Sequence, residues 1–470
     1  MKHKKRKIFL SGILILLLIF IVRKCNYSEN TARKFITDKE GRSLILHGMN
    51  VNPDAKHDPL RVGWPQKEDY TVLSEKWGFN MVRYLVLWDG IEPEPNQYDT
   101  AYFGRIKERL DWCSEVGLYV ILDMHQDLYA LRFGGDGAPS WAIRDDGEPF
   151  ELQSPWELNY RQPAVIASIN NFWNKELGHP DLQEHYINAF LEMVNQFKDH
   201  PAVIGYDLYN EPTMATKEAF AFEKLYLEPF YQELIDAIRT IDPENWIFYE
   251  PTALGANQGL KSRLGVLNDP RPDEARLVYF PHIYTLDLDL SGKYLGIPLF
   301  LASWAAERNI EAKRQNAPML IGEFGLDGNL PGANDFLNEV MKLSDKISSG
   351  WAYWAYTKGG SWAPINEDGS EQKKMDILVR PYPHCVAGQP ISYGFDLEKK
   401  KFWLQYVSDP KISAPTEIYI PESVYPLDWN FDINQPKSKW HKEWNDSTRI
   451  LQIFTGDSEG SKYEITISTK

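Results

Sequence analysis

Val203-Ile-Gly-Tyr-Asp-Leu-Tyr-Asn-Glu-Pro212 and Met319-Leu-Ile-Gly-Glu-Phe-Gly325 share one design: a short apolar run that ends in a carboxylate close to a turn residue. A strand covered on both faces reads as a continuous apolar run. A carboxylate at the end of such a strand is badly placed for packing and well placed for chemistry. The same kind of run recurs at Leu44–Asn50, Asn80–Trp88, Tyr119–Asp127, Trp246–Pro251, Arg276–Tyr284 and Gly350–Tyr356, with helix-length segments between. Strands alternating with helices imply parallel βαβ units. Eight of them predict a (β/α)8 TIM barrel, whose reactive face lies at the carboxyl ends of the strands. The segment Tyr102–Gly117 places Ile106, Leu110 and Cys113 at helical spacing and stops at Gly117.

After the barrel the pattern changes. Phe402–Val407, Thr416–Ile420, Ile450–Phe454 and Tyr463–Ser468 read as strands separated by Pro, Gly, Asp and Asn, and they predict a small β-sandwich. The expected organisation is a leader over residues 1–30, a catalytic barrel over 31–385 and the sandwich over 386–470. Thr31–Gly41 is expected to form a lead-in, possible as a hairpin under the barrel.

Met1–Lys7 is basic, Ile8–Val22 is apolar, and Arg23-Lys24-Cys25 follows. This is the layout of a secretory signal. Its run of 15 residues falls short of the ~20 of a full span. Cleavage and an uncleaved anchor both stay open, and either predicts an extracytoplasmic catalytic part, secreted or membrane-anchored. Seven of the 51 Lys and Arg lie in residues 1–24, so residues 25–470 carry 44 against 66 Asp and Glu, a net charge of −22. That acidity argues against nucleic acid as a partner. Three cysteines cannot make a disulfide framework. A Cys113–Cys385 bond is conceivable, and a buried Cys113 thiol is preferred.

Two strand-end carboxylates, far apart in sequence, suit the paired acids of a retaining glycoside hydrolase, which stand about 5–5.5 Å apart. Glu211, beside Asn210, is expected to be the acid/base and Glu323 the nucleophile. Asn210 is placed to hold a sugar 2-hydroxyl. Asp123, His125 and Asp127 share one side of strand three at period two. A metal site and a purely structural buried triad are the alternatives there, and a hydrogen-bond network that orients the catalytic carboxylates and sugar hydroxyls is preferred. His282 and Tyr284 share a face of strand six, and Tyr284 is expected to donate to Glu323. Arg83 on strand two is expected to pair with the nucleophile, and Trp354 to form a stacking floor. No metal and no cofactor is expected. Gly134–Trp141 lacks the Gly-Lys-Ser/Thr of a phosphate loop.

The chain resembles the endoglycoceramidases, a branch of glycoside hydrolase family five, over about residues 44–425. The likeness rests on Leu122-Asp-Met-His-Gln-Asp-Leu-Tyr129, Gly137-Ala-Pro-Ser-Trp-Ala142, Phe172-Trp-Asn174, Tyr206–Pro212, Asn257-Gln-Gly-Leu260, Leu320–Asp327 and Ala414-Pro-Thr-Glu-Ile-Tyr-Ile420. Asn-Glu-Pro alone marks only the wider clan. The strand-three motif together with the C-terminal piece is far more specific. The resemblance implies a retaining enzyme that cuts between glycan and ceramide, with Glu211 as acid/base and Glu323 as nucleophile. It places His125, Asp127, Asn210, Tyr284 and Trp354 at the first sugars and Lys56 near the sugar–lipid junction. A glycosphingolipid substrate and a membrane or lipid surface are the implied partners. Leu295, Ile297, Leu299, Phe300 and Leu301 are candidates for an aglycone groove, with a buried helix as the alternative. A cellulase- or mannanase-like activity, a glucosylceramidase- or steryl-glucosidase-like activity, and a non-catalytic binding protein remain as alternatives.

Overall fold

Seventeen strands organise the described part of the chain. The first nine are β1 (Ser43–Leu44), β2 (Leu46–Val51), β3 (Met81–Leu87), β4 (Tyr119–His125), β5 (Val203–Asp207), β6 (Trp246–Tyr249), β7 (Leu277–Tyr279), β8 (Ile321–Phe324) and β9 (Gly350–Tyr353). The rest are β10 (Tyr382–Val386), β11 (Gly388–Asp396), β12 (Lys401–Ser408), β13 (Thr416–Tyr419), β14 (Trp429–Ile433), β15 (Trp440–Asn445), β16 (Ile450–Thr455) and β17 (Lys462–Thr469). This computed structural model describes residues 33–175, 178–213, 221–285, 288, 294, 298–456 and 459–470. The expected leader, Leu295, Ile297 and the Leu299 side chain lie outside the described residues. Among the described residues no helix is long and apolar enough to cross a membrane.

Strands β2 to β9 form one parallel eight-stranded sheet in the order β7-β6-β5-β4-β3-β2-β9-β8. Parallel bridges Tyr279–Met319 and Ile283–Phe324 join its two ends, so the sheet closes into the expected barrel. Each of the eight apolar runs contributes one strand. The Thr100–Glu115 helix starts where Asp99 accepts the N–H groups of Ala101 and Tyr102, which caps its first turn. It ends at Gly117, whose φ of +73° an L side chain rarely adopts.

Period two stacks the barrel interior in layers. Leu46, Met81, Ile121, Phe248, Val278, Phe280 and Leu320 make a dry lower layer with Ile36, Leu44 and Cys385 in the same cluster. One step up on the same faces, Asn50, Arg83, Asp123, Asp207, Glu250 and His282 replace the apolar residues, and all are buried. The fold therefore confines charge to the carboxyl end of the barrel. Gly322 leaves room for this layer, because a Cβ there would lie 2.8 Å from His282 Nε2.

The C-terminal strands pack as a five-stranded sheet, β1-β10-β13-β16-β15, and a four-stranded sheet, β11-β12-β17-β14. Phe402, Leu404 and Tyr406 alternate inward from β12 as Tyr463, Ile465 and Ile467 do from β17. Four of these strands escape the sequence reading. Pro383 and Pro390 look like punctuation, yet each sits at a register shift, where a sheet tolerates proline. Strands β14 and β15 both lie at sheet edges; β15 is almost wholly exposed and carries no clean alternation, whereas the five-residue β14, Trp429-Asn-Phe-Asp-Ile433, does alternate with its apolar side half-buried. Thr37 bridges Ser43 around the Asp38–Arg42 turn, and β1 pairs with β10. Cys113 and Cys385 are free, buried thiols.

Barrel and sandwich meet at Gly78. Its carbonyl accepts Tyr382 Oη at 2.8 Å and stands 3.0 Å from His384 Nε2. With φ of +65°, a Cβ at this position would fall 2.1 Å from the Tyr419 ring. Gly78→Ala is expected to cost about 2–4 kcal/mol, overpacking plus left-handed strain, read as a lower denaturant midpoint at unchanged m-value.

Candidate active site

Glu323 lies within β8, and Glu211 lies four residues past β5 at φ +45°. A carboxylate oxygen of each and a ring nitrogen of His282 fall within 4.8 Å of one another. Glu323 is 4% exposed. Its Oε1 accepts Arg83 Nη1 at 2.7 Å and its Oε2 accepts Tyr284 Oη at 2.9 Å. Burial pushes Glu323 up to about 7, although the charges of His282 and Arg83 pull the other way. Glu211 is more open. Its Oε1 accepts Asn257 Nδ2 at 2.7 Å and faces His282 Nδ1 at 2.9 Å.

Arg83 is the hub beneath them, fully buried. Its Nη2 lies 2.8 Å from Asp207, 3.0 Å from Asp123 and 3.1 Å from Glu250, and its Nη1 also donates to Asn50 Oδ1 at 3.0 Å. One guanidinium thus faces four carboxylates, Glu323 included. The same Nη2 donates to Asn210 Oδ1 at 2.8 Å, while Asn210 Nδ2 donates to the Gln126 carbonyl at 3.0 Å. That locks the Asn210 amide and, among the described residues, leaves its second Nδ2 hydrogen unspent.

A second wall rises from β4. Asp123 Oδ2 stands 2.7 Å from His125 Nδ1, and His125 Nε2 lies 3.7 Å from Asp127 Oδ2. Burial would lower His125, but the Asp123 charge holds it well above its ordinary value. His125 stacks on Trp354 with ring centroids 5.4 Å apart. Lys56 pairs with Asp136 at 3.4 Å. Asp123 departs from its expected place: it is fully buried and spent on His125 and Arg83, so it orients the wall rather than facing a sugar. The other expected residues, Lys56, His125, Asp127, Asn210, His282, Tyr284, Trp354 and Arg83, all lie in this network with Glu211 and Glu323.

Among the described residues, His125, Asp127 and Asp136 bring ligand-type atoms within 4.8 Å, as do Glu211, His282 and Glu323. In the first group Lys56 supplies the cation; in the second, Arg83 and His282 do. Both groups are accounted for by ion pairs and hydrogen bonds within the chain.

Sequence reasoning missed Glu250, Asp207 and Asn257 as parts of this site. Glu250 had a readable signal, since Tyr249-Glu-Pro251 repeats the strand-end pattern of Asn210-Glu-Pro212. Asn257 opens a stretch that carries the family likeness, Asn257-Gln-Gly-Leu260, but no local period marks its role, because its place depends on a loop held from elsewhere. Arg308, buried, donates to the carbonyls of Ala256 at 2.5 Å and Leu260 at 2.6 Å. Phe300 is half-buried and Leu301 buried in the helix Pro298–Gln315.

The family model for cellulase (glycosyl hydrolase family 5) matches residues 37–360, and that for the glycoside hydrolase family 5 C-terminal domain matches residues 380–467. The chain is similar to endoglycoceramidase I of Rhodococcus hoagii (strain 103S), 30% identical over 410 residues, covering 83% of this chain and 79% of the relative. Among solved structures, endo-glycoceramidase II from a Rhodococcus species in its ganglioside GM3 complex superposes with a TM-score of 0.87 at 35% identity, covering 93% of this chain and 100% of that one. The lactosyl-enzyme intermediate of the same protein superposes with a TM-score of 0.85 at 36% identity and the same coverage.

Proposed function

The chain belongs to glycoside hydrolase family 5, and from that premise we propose that it hydrolyses the bond between glycan and ceramide of glycosphingolipids with retention. The observation that carries this is the facing pair itself: oxygens of Glu211 and Glu323 lie within 4.8 Å. That separation suits direct attack rather than an interposed water, which needs about 6.5–9.5 Å. The captured lactosyl-enzyme of the similar Rhodococcus protein supports the same course.

In the first step a Glu323 oxygen forms a bond to the anomeric carbon while the bond from that carbon to the ceramide oxygen breaks. Glu211 gives its proton to the departing oxygen. In the second step Glu211 takes a proton from water, the water oxygen bonds to the anomeric carbon and the Glu323 ester breaks. Glu211 then holds a proton again and Glu323 its charge. Arg83 and Tyr284 keep charge on Glu323 before attack. Asn210 and the His125–Asp127 wall offer polar contacts to the glycan, and Trp354 offers a face.

A lipid aglycone fits the rim. Leu131, Leu152, Trp156, Leu254, Leu260 and Trp362 are exposed on segments that follow barrel strands. The basic and apolar run Met1–Cys25 supports an extracytoplasmic, secreted or membrane-anchored enzyme that meets its substrate at a lipid surface. The test offers the purified protein a ganglioside, lactosylceramide and glucosylceramide in detergent, with carboxymethylcellulose and mannan alongside, and reads products by mass spectrometry. Intact oligosaccharide plus ceramide is expected. Cleavage of glucosylceramide alone moves the reading to a glucosylceramidase, and cleavage of polysaccharide alone overturns it.

A further inference from the structure

Glu250 directly follows β6, is 2% exposed, and touches two of the groups that hold Glu211, its main-chain N–H and His282. Its Oε2 accepts the Glu211 main-chain N–H at 2.9 Å. Its Oε1, which accepts from Arg83 Nη2, also makes a charge contact of 3.1 Å with His282 Nε2 that is not aligned as a hydrogen bond, while His282 Nδ1 faces Glu211 Oε1 at 2.9 Å. We infer that Glu250 is the positioning residue of the acid/base: its carboxylate fixes the main chain of Glu211 and keeps His282 protonated on both nitrogens against the Glu211 side chain. This rests on the reading of Glu211 as acid/base.

Two features support it. Glu211 sits at φ +45°, a conformation that an L residue keeps only when its surroundings hold it, and Glu250 accepts the N–H of that residue. The charges around His282 point the same way. Arg83 is divided among Asp123, Asp207, Glu250 and Glu323, so it does not neutralise Glu250 alone. Glu211 and Glu323 face Nδ1 at 2.9 and 3.6 Å, and Glu250 faces Nε2. Asp127 and His125 stand across the site, and Tyr284 lies on Glu323. Three carboxylates against one imidazole favour its charged form. Burial would lower His282, but Glu250 and Glu323 raise it well above its ordinary value.

An amide cannot replace this carboxylate. In Glu250→Gln the single oxygen can stay on the Glu211 N–H, and the NH2 then faces His282 Nε2 and Arg83. His282 must drop its Nε2 proton. The ring then no longer sets a positive charge against the acid/base, and a change of charge in contact with a carboxylate changes its pH dependence. The alkaline limb of kcat/KM is therefore expected to move up by about one pH unit. Turnover of lactosylceramide is expected to fall about tenfold or more, part of the 10²–10⁴ that a positioned acid supplies, and that of an aryl lactoside with a good leaving group to fall much less. Glu250→Asp keeps the charge and is expected to keep the alkaline limb. A merely structural Glu250 lowers the melting temperature of both variants and moves neither limb.

Nitrogen NMR of the wild-type protein, with His282 assigned through a His282→Gln variant, reads the ring directly. Both nitrogens protonated at pH 7 supports the inference even where no glycolipid is cleaved, which separates it from failure of the proposed function. An unprotonated Nε2 in wild type, or a Glu250→Gln variant with an unmoved alkaline limb, overturns it.

Discussion

Glu323→Gln is expected to abolish glycolipid turnover, by about 10⁴-fold or more, the scale of removing a nucleophile that acts as part of a unit. The same substitution is expected to stabilise the protein at neutral pH. The buried carboxyl titrates near 7 in the folded chain against an ordinary 4.5. Between those values the unfolded chain loses its proton while the folded chain keeps it, so stability falls as pH rises from 4.5 through 7. Above that window the ionised Glu323 costs about 3 kcal/mol, which the neutral amide avoids. Denaturation at pH 8 should show Glu323→Gln as the more stable protein, and denaturation near pH 4 should show little difference. A variant less stable at both pH values would mean that Arg83 and Tyr284 outweigh the cost of burial. For the active enzyme the same titration places the acid limb of kcat/KM above the ordinary carboxylate range, toward 7, because an attacking carboxylate must be ionised.

Glu211→Ala is expected to split the two half-reactions. The ceramide alkoxide leaves poorly without a proton, so turnover of lactosylceramide should fall by about 10²–10⁴, the span that general acid catalysis supplies. A dinitrophenyl lactoside leaves without help, so its first step should survive and the glycosyl-enzyme should accumulate. Azide needs no general base. Its addition should restore turnover and yield a lactosyl azide of retained configuration, read by NMR. A variant equally slow on both substrates and unmoved by azide would remove Glu211 from the acid/base role. Glu323→Gln should show no azide rescue with retention, since no glycosyl-enzyme forms. The pair of variants therefore separates the two carboxylates by chemistry rather than by loss of activity alone.

The eight barrel strands were legible because both faces of each are covered, which forces a continuous apolar run into the sequence. Glu211 and Glu323 were legible because a carboxylate interrupts such a run only where the strand leaves the core. Pairing of Arg83 and Tyr284 with Glu323 followed from strand ends converging on one barrel mouth. The edge strand Trp440–Asn445 was hidden because exposure removes the alternation that marks a strand, whereas Trp429-Asn-Phe-Asp-Ile433 keeps its alternation and was readable but missed. Asp123 was misplaced because period two gives a side of the strand but not a depth along the barrel axis. At its depth the carboxylate meets Arg83 and His125 from the same layer.

The sequence by itself therefore determined the barrel, the two carboxylates and the class of chemistry they support, since each follows from local pattern along a single strand. Tertiary structure alone decided which charges share Arg83, that Glu250 bridges His282 and the Glu211 main chain, and that Asn257 reaches Glu211 from a loop anchored by Arg308. These contacts join strands separated by tens to hundreds of residues, and their energies depend on distance and burial inside one charged layer. No local period along the chain records either quantity.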